Sequence, residues 1–346
     1  MWQNILEQKS GIKTYEGFLP DSKAAIGKID SAASFKELLL YQTQKAVKQS
    51  GIEAANTALF IGSSVGGMQN TEKRLQNGAA FSDIDPDFHT IEAIKNMLGF
   101  SFSFKENFAF STACTSSANA IGFAYECISK GIYETGLIIG ADAISLTTVC
   151  GFNALGVLSD GVCKPFCYTS GGMNVAEGLG ILVLSGAKTE NAVEILGAGY
   201  SSDAYHMTHP KPNGTGAFEA MSRALKNSKL KPVQIDYINA HGTGTKANDT
   251  TEAEAIVSLF GKTPYVSSIK NIIGHTLGAA GALEAIVACK AISENIIPPN
   301  GQIIQSVNEK CRFATNPPLK QEVNFVMSNS FAFGGNNTSL VFGRAL

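Results

Sequence analysis

The chain has 346 residues, 44% of them hydrophobic and 16% charged, with 35 glycines and a formal net charge of −2. Near-neutral charge gives no reason to expect nucleic acid or an anionic membrane as partner, and this composition suits a compact α/β enzyme better than a disordered or coiled-coil chain. The polar start, MWQNILEQKSG, and the absence of a run of about 18 apolar residues predict neither a signal segment nor membrane insertion. Seven cysteines are an odd number and make no disulfide framework, so free thiols in a cytoplasmic protein are expected. Cys163 and Cys167 stand four apart, but no histidine or second cysteine pair lies close by, and no metal site is expected.

In chain order, residues 34–49 carry Phe35, Leu38, Leu39, Ala46 and Val47 on one side of a helix, with Gly51 past its end. Residues 58–62, ALFIG, read as a buried strand entering a loop, SSVGGMQN, whose glycines permit backbone shapes closed to residues with a Cβ. Residues 83–99 are expected to be helical after the Asp85-Pro86 break, with His89 as a surface or packing histidine. The stretch 107–131, NFAFSTACTSSANAIGFAYECISKG, changes period at Cys114. A β-like run at 108–110 gives way to Ala118, Ile121, Tyr125 and Ile128 at helical spacing, and Gly131 stands where that helix would stop.

Residues 136–141 and 179–184 read as further buried strands. Apolar strands alternating with helices argue for a parallel or mixed sheet covered on both faces. A second half begins near Ala192, with strands expected at 193–198, 235–240, 265–269, 323–328 and 338–343. Its helices are expected at 218–226, 251–260 and 279–293. No linker separates the halves, so the chain is read as two similar α/β halves, 1–188 and 189–346, sharing one core.

A thiol between a strand and a helix sits where unpaired N–H groups and aligned peptide dipoles favour negative charge. That placement lowers a thiol's pKa and makes Cys114 a candidate nucleophile; the alternative is a small buried residue, the commoner fate of free cysteine. His241 ends IDYINAH and opens GTGTKAND, and His275 lies in KNIIGHTLGAAGALE. Each follows an apolar strand into a glycine-rich turn, where α/β folds place functional groups; the alternative is an imidazole bonded to a neighbouring carbonyl. Thr243 and Thr245 offer hydroxyls beside an exposed backbone, and Lys270 would be costly as a lone ammonium in apolar surroundings. The strand end SNSFAFGGNNTSLVFG offers backbone N–H groups near Phe333 for an oxyanion.

Taken together, STACTSS around Cys114, NAHGTGT around His241, KNIIGHTLGAAGALE around Lys270 and His275, and NSFAFGG around Phe333 resemble the motifs of the β-ketoacyl-acyl-carrier-protein synthases, condensing enzymes of the thiolase superfamily. SSDAYHMTHPKPNGTGA, residues 201–217, is similar to the elongating branch, as is the possession of two histidines. The resemblance implies a thiolase-like fold with a layered α-β-α-β-α core. It also implies decarboxylative Claisen condensation of an acyl thioester on Cys114 with malonyl-acyl-carrier protein. His241 and His275 would stabilise the enolate, and Lys270 would hold His275. Backbone N–H groups of Cys114 and Phe333 would form the oxyanion hole, with Phe333 as gate. Thr243 and Thr245 would bind the pantetheine, and Glu284 would form a buried ion pair or play a catalytic part. His206 and His209 would serve packing or the site rim. Acyl carrier protein is the implied partner, bringing the phosphopantetheine with it so that no further cofactor is needed. A homodimer, or a heterodimer with a ketosynthase-like subunit, is expected.

Departures from the family pattern sharpen the reading. The usual first strand and its glycine-rich turn are missing, so an edge of the N-terminal sheet is expected to be open to a partner. PFCYTSGGMNVAEG replaces the usual Asp and the Arg-Asp-Gly-Phe run after it, putting Cys167, Ser170, Gly171 and Met173 in those places, with Met173 expected to reshape the pocket. Ala332 replaces a glycine and should stiffen the gate, and Lys246 stands where proline is common. These changes favour a specialised polyketide or aryl-polyene-type pathway over general fatty-acid elongation. The competing reading is a non-catalytic, chain-length-factor-like subunit, which normally lacks the active cysteine.

Overall fold

The computed structural model describes residues 1–19, 22–85, 90–189 and 192–344. Its strands are β1 (Ile12–Tyr15), β2 (Ala24–Gly27), β3 (Ala58–Gly62), β4 (Glu106–Phe110), β5 (Thr135–Asp142), β6 (Gly178–Ser185), β7 (Val193–Ser202), β8 (Tyr237–Asn239), β9 (Tyr265–Ser267), β10 (Ile296–Ile297), β11 (Leu319–Lys320), β12 (Phe325–Phe331) and β13 (Asn336–Arg344). Its α-helices are α1 (Trp2–Leu6), α2 (Phe35–Ser50), α3 (Met68–Gln76), α4 (Glu92–Leu98), α5 (Ser116–Ser129), α6 (Leu146–Ala154), α7 (Thr215–Ser228), α8 (Lys246–Phe260), α9 (Lys270–Ile273) and α10 (Ala280–Glu294).

One sheet runs β4-β3-β5-β6, with β4, β3 and β5 parallel and β6 antiparallel to β5. The other runs β9-β8-β12-β13-β7, with β9, β8 and β12 parallel, β13 antiparallel to β12, and β7 antiparallel to β13. The first four positions of the two sheets therefore share one topology. Helices α5 and α10 lie between the sheets, each packing on strands of both. Small residues let these helices meet: a Cβ on Gly281 would lie 2.6 Å from the Ala118 nitrogen.

The period-2 geometry of strands sorts the apolar side chains into layers. In β3, Phe60 faces the central layer with Ile121, Tyr237 and Leu340. Its neighbours Leu59 and Ile61 face the opposite way, toward α2 and α4 with Leu39 and Ile94. On the far side Met221 and Ile256 of α7 and α8 cover Ile238, Val266 and Val341. The result is the layered α-β-α-β-α, thiolase-like core. Among the described residues no helix is long and apolar enough to cross a membrane.

Helix α2 starts at Ser34, whose side chain and that of Glu37 form a reciprocal capping box, and ends at Gly51 in the left-handed region. The expected helix over 83–99 shrinks to α4, and its His89 lies outside the described residues. Helix α3 arises where a loop was expected; MQNTEKRLQ is nearly all polar and carries no apolar stripe to announce it.

Candidate active site

Cys114 falls between the end of β4 and the start of α5, in a turn where Ala113 takes a left-handed φ of 51°. Side chains hold that unfavourable backbone. The Ser116 hydroxyl donates to the Ala113 carbonyl at 2.6 Å, and the Thr115 hydroxyl to the Thr112 carbonyl at 2.7 Å. The thiol is 6% exposed and lies 3.0 Å from His275 Nε2. Backbone N–H groups of Phe333 and of Cys114 itself also reach the sulfur and favour its charge.

The helix N-terminus leads one to expect a depressed thiol pKa, and the structure reverses that. Burial pushes the Cys114 thiol up to about 11, outweighing the opposing influence of the Lys270 ammonium and the two N–H groups. His241 and His275 are both held well below the usual imidazole range, first by burial and then by Lys270. The resting site therefore pairs a neutral thiol with a neutral imidazole.

Lys270 and Glu284 form an ion pair with both side chains 1% exposed. Lys270 Nζ also donates to the His241 carbonyl at 2.6 Å and lies 3.5 Å from His241 Nδ1. An ammonium facing Nδ1 leaves that atom as acceptor and puts the proton on Nε2. Lys270 was expected to hold His275. It contacts His241 instead, because its ammonium is directed to Glu284 and the end of β8, whereas His275 is held by its own N–H donating to the Asn174 carbonyl at 2.7 Å. Among the described residues no hydrogen-bond partner is found for the buried His275 Nδ1, and the contact with Cys114 orients its other nitrogen.

The rings of His241 and His275 meet edge to face at 5.3 Å. One ligand atom from each, with Cys114 Sγ, lie within 4.8 Å of one another. A divalent ion could span such a spacing, but the buried Lys270 ammonium disfavours a cation there. Cys163 and Cys167 take no part: the first donates to the Lys270 carbonyl and the second meets the Thr169 hydroxyl.

A cavity of about 50 Å³ joins Cys114, His241 and His275 to Phe152, Met173 and Phe333. It continues past Thr243 and Thr245 to His209, which is exposed and marks the mouth. The Thr243 and Thr245 hydroxyls lie 2.9 Å apart, and Phe333 packs on Phe152 at 5.9 Å. His206 and His209 stand outside with ring nitrogens 3.2 Å apart. Lys246 donates to the Tyr168 hydroxyl beside the mouth.

Three buried carboxyls escape sequence reasoning. Glu252 accepts the N–H groups of His241 and Gly242 at 2.9 and 2.8 Å. Asp249 accepts those of Phe166 and Gly244 at 2.7 and 3.2 Å. Asp142 accepts from the Ser63 hydroxyl and from the N–H groups of Ser64, Val65 and Gly278. For Asp249 and Glu252 the available signal was acidic residues three apart on the face of α8 that also carries Ala253 and Ile256, whereas Asp142 ends β5 with no such spacing.

Comparison with known proteins gives the family. The family described as beta-ketoacyl synthase, N-terminal domain, matches residues 26–190, and its C-terminal counterpart matches residues 192–303. A protein named 3-oxoacyl-[acyl-carrier-protein] synthase 2 from Coxiella burnetii is 34% identical over 391 residues, covering 99% of this chain and 94% of its own. A putative mitochondrial 3-oxoacyl-[acyl-carrier-protein] synthase from Schizosaccharomyces pombe is 32% identical over 403 residues, covering 100% of this chain and 95% of its own. Among solved structures, a ketosynthase in complex with its chain length factor from Xenorhabdus doucetiae superposes with a TM-score of 0.86 at 30% identity, covering 99% of this chain and 93% of that one. A beta-ketoacyl synthase from Burkholderia phymatum reaches 0.88 at 27% identity, covering 100% and 96%. With both domain families spanning most of its length, the chain belongs to the β-ketoacyl synthase family of condensing enzymes.

Proposed function

We propose that this chain condenses an acyl group held on Cys114 with malonyl-acyl-carrier protein, releasing carbon dioxide and a β-ketoacyl-acyl-carrier protein. The observation that carries this reading is the 3.0 Å contact of Cys114 Sγ with His275 Nε2, beside a His241 whose Nδ1 faces an ammonium.

In the first step sulfur attacks the acyl thioester of the carrier's phosphopantetheine. Its proton passes to His275 Nε2, and from there to the departing pantetheine sulfur. Contact with the thioester makes the thiolate needed only transiently, which suits a thiol and an imidazole that rest neutral. The N–H groups of Cys114 and Phe333, both aimed at the sulfur, receive the oxyanion of the tetrahedral intermediate.

In the second step the carbon–carbon bond to the malonyl carboxylate breaks, carbon dioxide leaves, and the electron pair moves onto the thioester oxygen as an enolate. His241 Nε2–H donates to that oxygen, joined by His275 once its Nε2 carries a proton. The enolate carbon attacks the acyl carbon, and the bond to Cys114 sulfur breaks. Thr243 and Thr245 bond the pantetheine amides along the cavity. Exposed Lys211 and Lys246, flanking Pro210 and Ala247 of the mouth, place positive charge where the carrier's phosphodiester arrives.

The partner is a second ketosynthase-like subunit on the free edge of β4. There Phe60 and Phe108 stack at 5.1 Å, and Phe108 and Phe110 pack against the 37% exposed Phe123. A cavity of about 440 Å³ opens on this face, lined by Phe110, Asn119, Tyr200 and Asn337. Asn337 also lines the Cys114 cavity, so the growing chain runs from the sulfur toward the subunit boundary. The altered segment around Met173 and the likeness to a ketosynthase that works with a chain length factor support a specialised polyketide or aryl-polyene-type pathway over general fatty-acid elongation.

Acyl-carrier protein should transfer its acyl group to Cys114, detected as a mass increase abolished in Cys114→Ala, and malonyl-acyl-carrier protein should then release carbon dioxide. Full pathway function in Cys114→Ala would overturn catalysis and leave the chain-length-factor-like role.

A further inference from the structure

His275 presents Nε2 to Cys114 although, among the described residues, no second hydrogen bond sets the direction of its ring. The aim of the ring therefore depends on where its backbone stands. One segment grips that backbone from both sides. The His275 N–H donates to the Asn174 carbonyl at 2.7 Å, and the Ala176 N–H donates to the His275 carbonyl at 2.9 Å. Gly274, just before, takes a φ of 74°, and a Cβ there would lie 2.6 Å from the Ala176 Cβ and 3.1 Å from the Asn174 carbonyl oxygen. At such close packing, a shift of the segment is a shift of the histidine.

The same segment touches the loop of the other imidazole. A Cβ on Gly244 would lie 2.7 Å from the Gly172 carbonyl oxygen, and one on Gly242 would lie 2.8 Å from the Phe166 ring. Residues 166–176 thus wedge between the two histidine loops, and Met173 lines the cavity there.

The Asn174 side chain, fully buried, pins this wedge. Its amide nitrogen donates to the Ala25 carbonyl of β2 at 3.0 Å and to the Gly161 carbonyl at 2.8 Å. Its oxygen accepts the Cys163 N–H at 2.8 Å. Both amide hydrogens are used, on two separate stretches of chain. An aliphatic residue of similar size would leave two carbonyls and an N–H without these bonds. A buried amide could serve the fold alone, but this one belongs to the residue whose carbonyl holds His275.

We infer that Asn174 is a positioning residue for the acyl-transfer step. Its side chain fixes its own backbone, the carbonyl of that backbone fixes His275, and His275 Nε2 is thereby kept within reach of the Cys114 sulfur. The inference rests on the reading of Cys114 as the acyl-carrying nucleophile and His275 as its proton acceptor. His241 is held separately, by Lys270 and Glu252.

Asn174→Val removes all three bonds while filling the volume, and Asn174→Ser is the milder variant should the first not fold. Single-turnover acylation of Cys114 by octanoyl-acyl-carrier protein and carbon dioxide release from malonyl-acyl-carrier protein are measured separately, with each variant shown folded by circular dichroism. Acylation should fall by about 10²-fold in Asn174→Val, the loss that a displacement of about 1 Å can cause, and by about tenfold in Asn174→Ser. The KM for the acylated carrier should stay unchanged, and carbon dioxide release should fall by less than about fivefold. Cys163→Ala disturbs the same segment but keeps its N–H on Asn174, so the ratio of the two steps should match the wild type. Parallel loss of both steps, acylation unchanged beside a lowered denaturant midpoint, or an equal change of ratio in Cys163→Ala would each overturn the inference alone. A wild-type chain that takes no acyl group would overturn the underlying reading and the inference with it.

Discussion

The two halves build the same strand-loop-helix frame and load it with different chemistry. After β3 the loop beginning at Ser63 is gathered by Asp142, and after β8 the loop beginning at His241 is gathered by Glu252. Each uses a buried carboxyl to collect backbone N–H groups, but only the second loop puts a proton-bearing side chain into the cavity. The turns that lead to the central helices diverge as well. β4 passes through a strained turn to a thiol, whereas β9 passes through Lys270 and His275. In the proposed reaction one half carries the atom that makes and breaks bonds with carbon, and the other handles protons and charge. A duplicated scaffold fixes where groups stand and leaves their identity free.

The sharpest way to break this division is to remove the bond-making atom. Cys114→Ala should lower condensation by on the order of 10³-fold or more and abolish the acyl-enzyme seen by mass spectrometry. Decarboxylation of malonyl-acyl-carrier protein, which the proposed mechanism assigns to the C-terminal half, should persist. Loss of both activities together would show that the halves do not act separately.

Lys270→Met strikes the other half. It leaves Glu284 as an uncompensated buried charge, and breaking such a pair costs about 3–5 kcal/mol, read as a fall in denaturant midpoint. Replacing both partners, Lys270→Met with Glu284→Leu, should recover most of that stability. It should not recover decarboxylation, because nothing then faces His241 Nδ1 to keep the proton on Nε2. Recovery of both would mean that Lys270 serves the fold alone.

The two imidazoles should separate by step. His241→Ala should slow decarboxylation by about 10²–10³-fold, the usual loss for one oxyanion donor, while acylation of Cys114 stays within about tenfold. His275→Ala should reverse that order, since the thiol's imidazole contact at 3.0 Å is with His275. Single-turnover acylation and carbon dioxide release measured separately check both.

What the sequence made legible follows from where side chains act. Cys114, His241, His275, Lys270 and Phe333 each sit where a strand pattern breaks into glycines or small residues, and such breaks are visible in one dimension. Asp142, Asp249 and Glu252 act on backbone N–H groups, which every residue has, so nothing in their partners marks them. The expectation of a depressed Cys114 pKa failed for a related reason: helix placement is local and readable, whereas burial is set by packing from both halves. The fold was legible where strands are fully apolar, as in β3, β5 and β6. It was lost for polar α3 and for β10 and β11, each 2 residues long.

The smallest expected effect compares the two loop-gathering carboxyls. Burial raises both, Glu252 to about 7 from an ordinary 4.5. A carboxyl raised in the folded state keeps its proton where the unfolded chain has released it, so the folded state binds more protons across that window. Its stabilising contribution is then full below pH 4.5 and is lost as pH rises to about 7. Glu252→Gln should flatten that fall by about 3 kcal/mol at most, measured as denaturant midpoints between pH 4.5 and 7.5. Asp142→Asn should flatten it less, because a hydroxyl and three N–H groups already compensate the Asp142 charge, whereas Glu252 has two N–H donors within 3 Å. Equal flattening would mean that depth of burial, rather than the number of donors, sets the response of both loops.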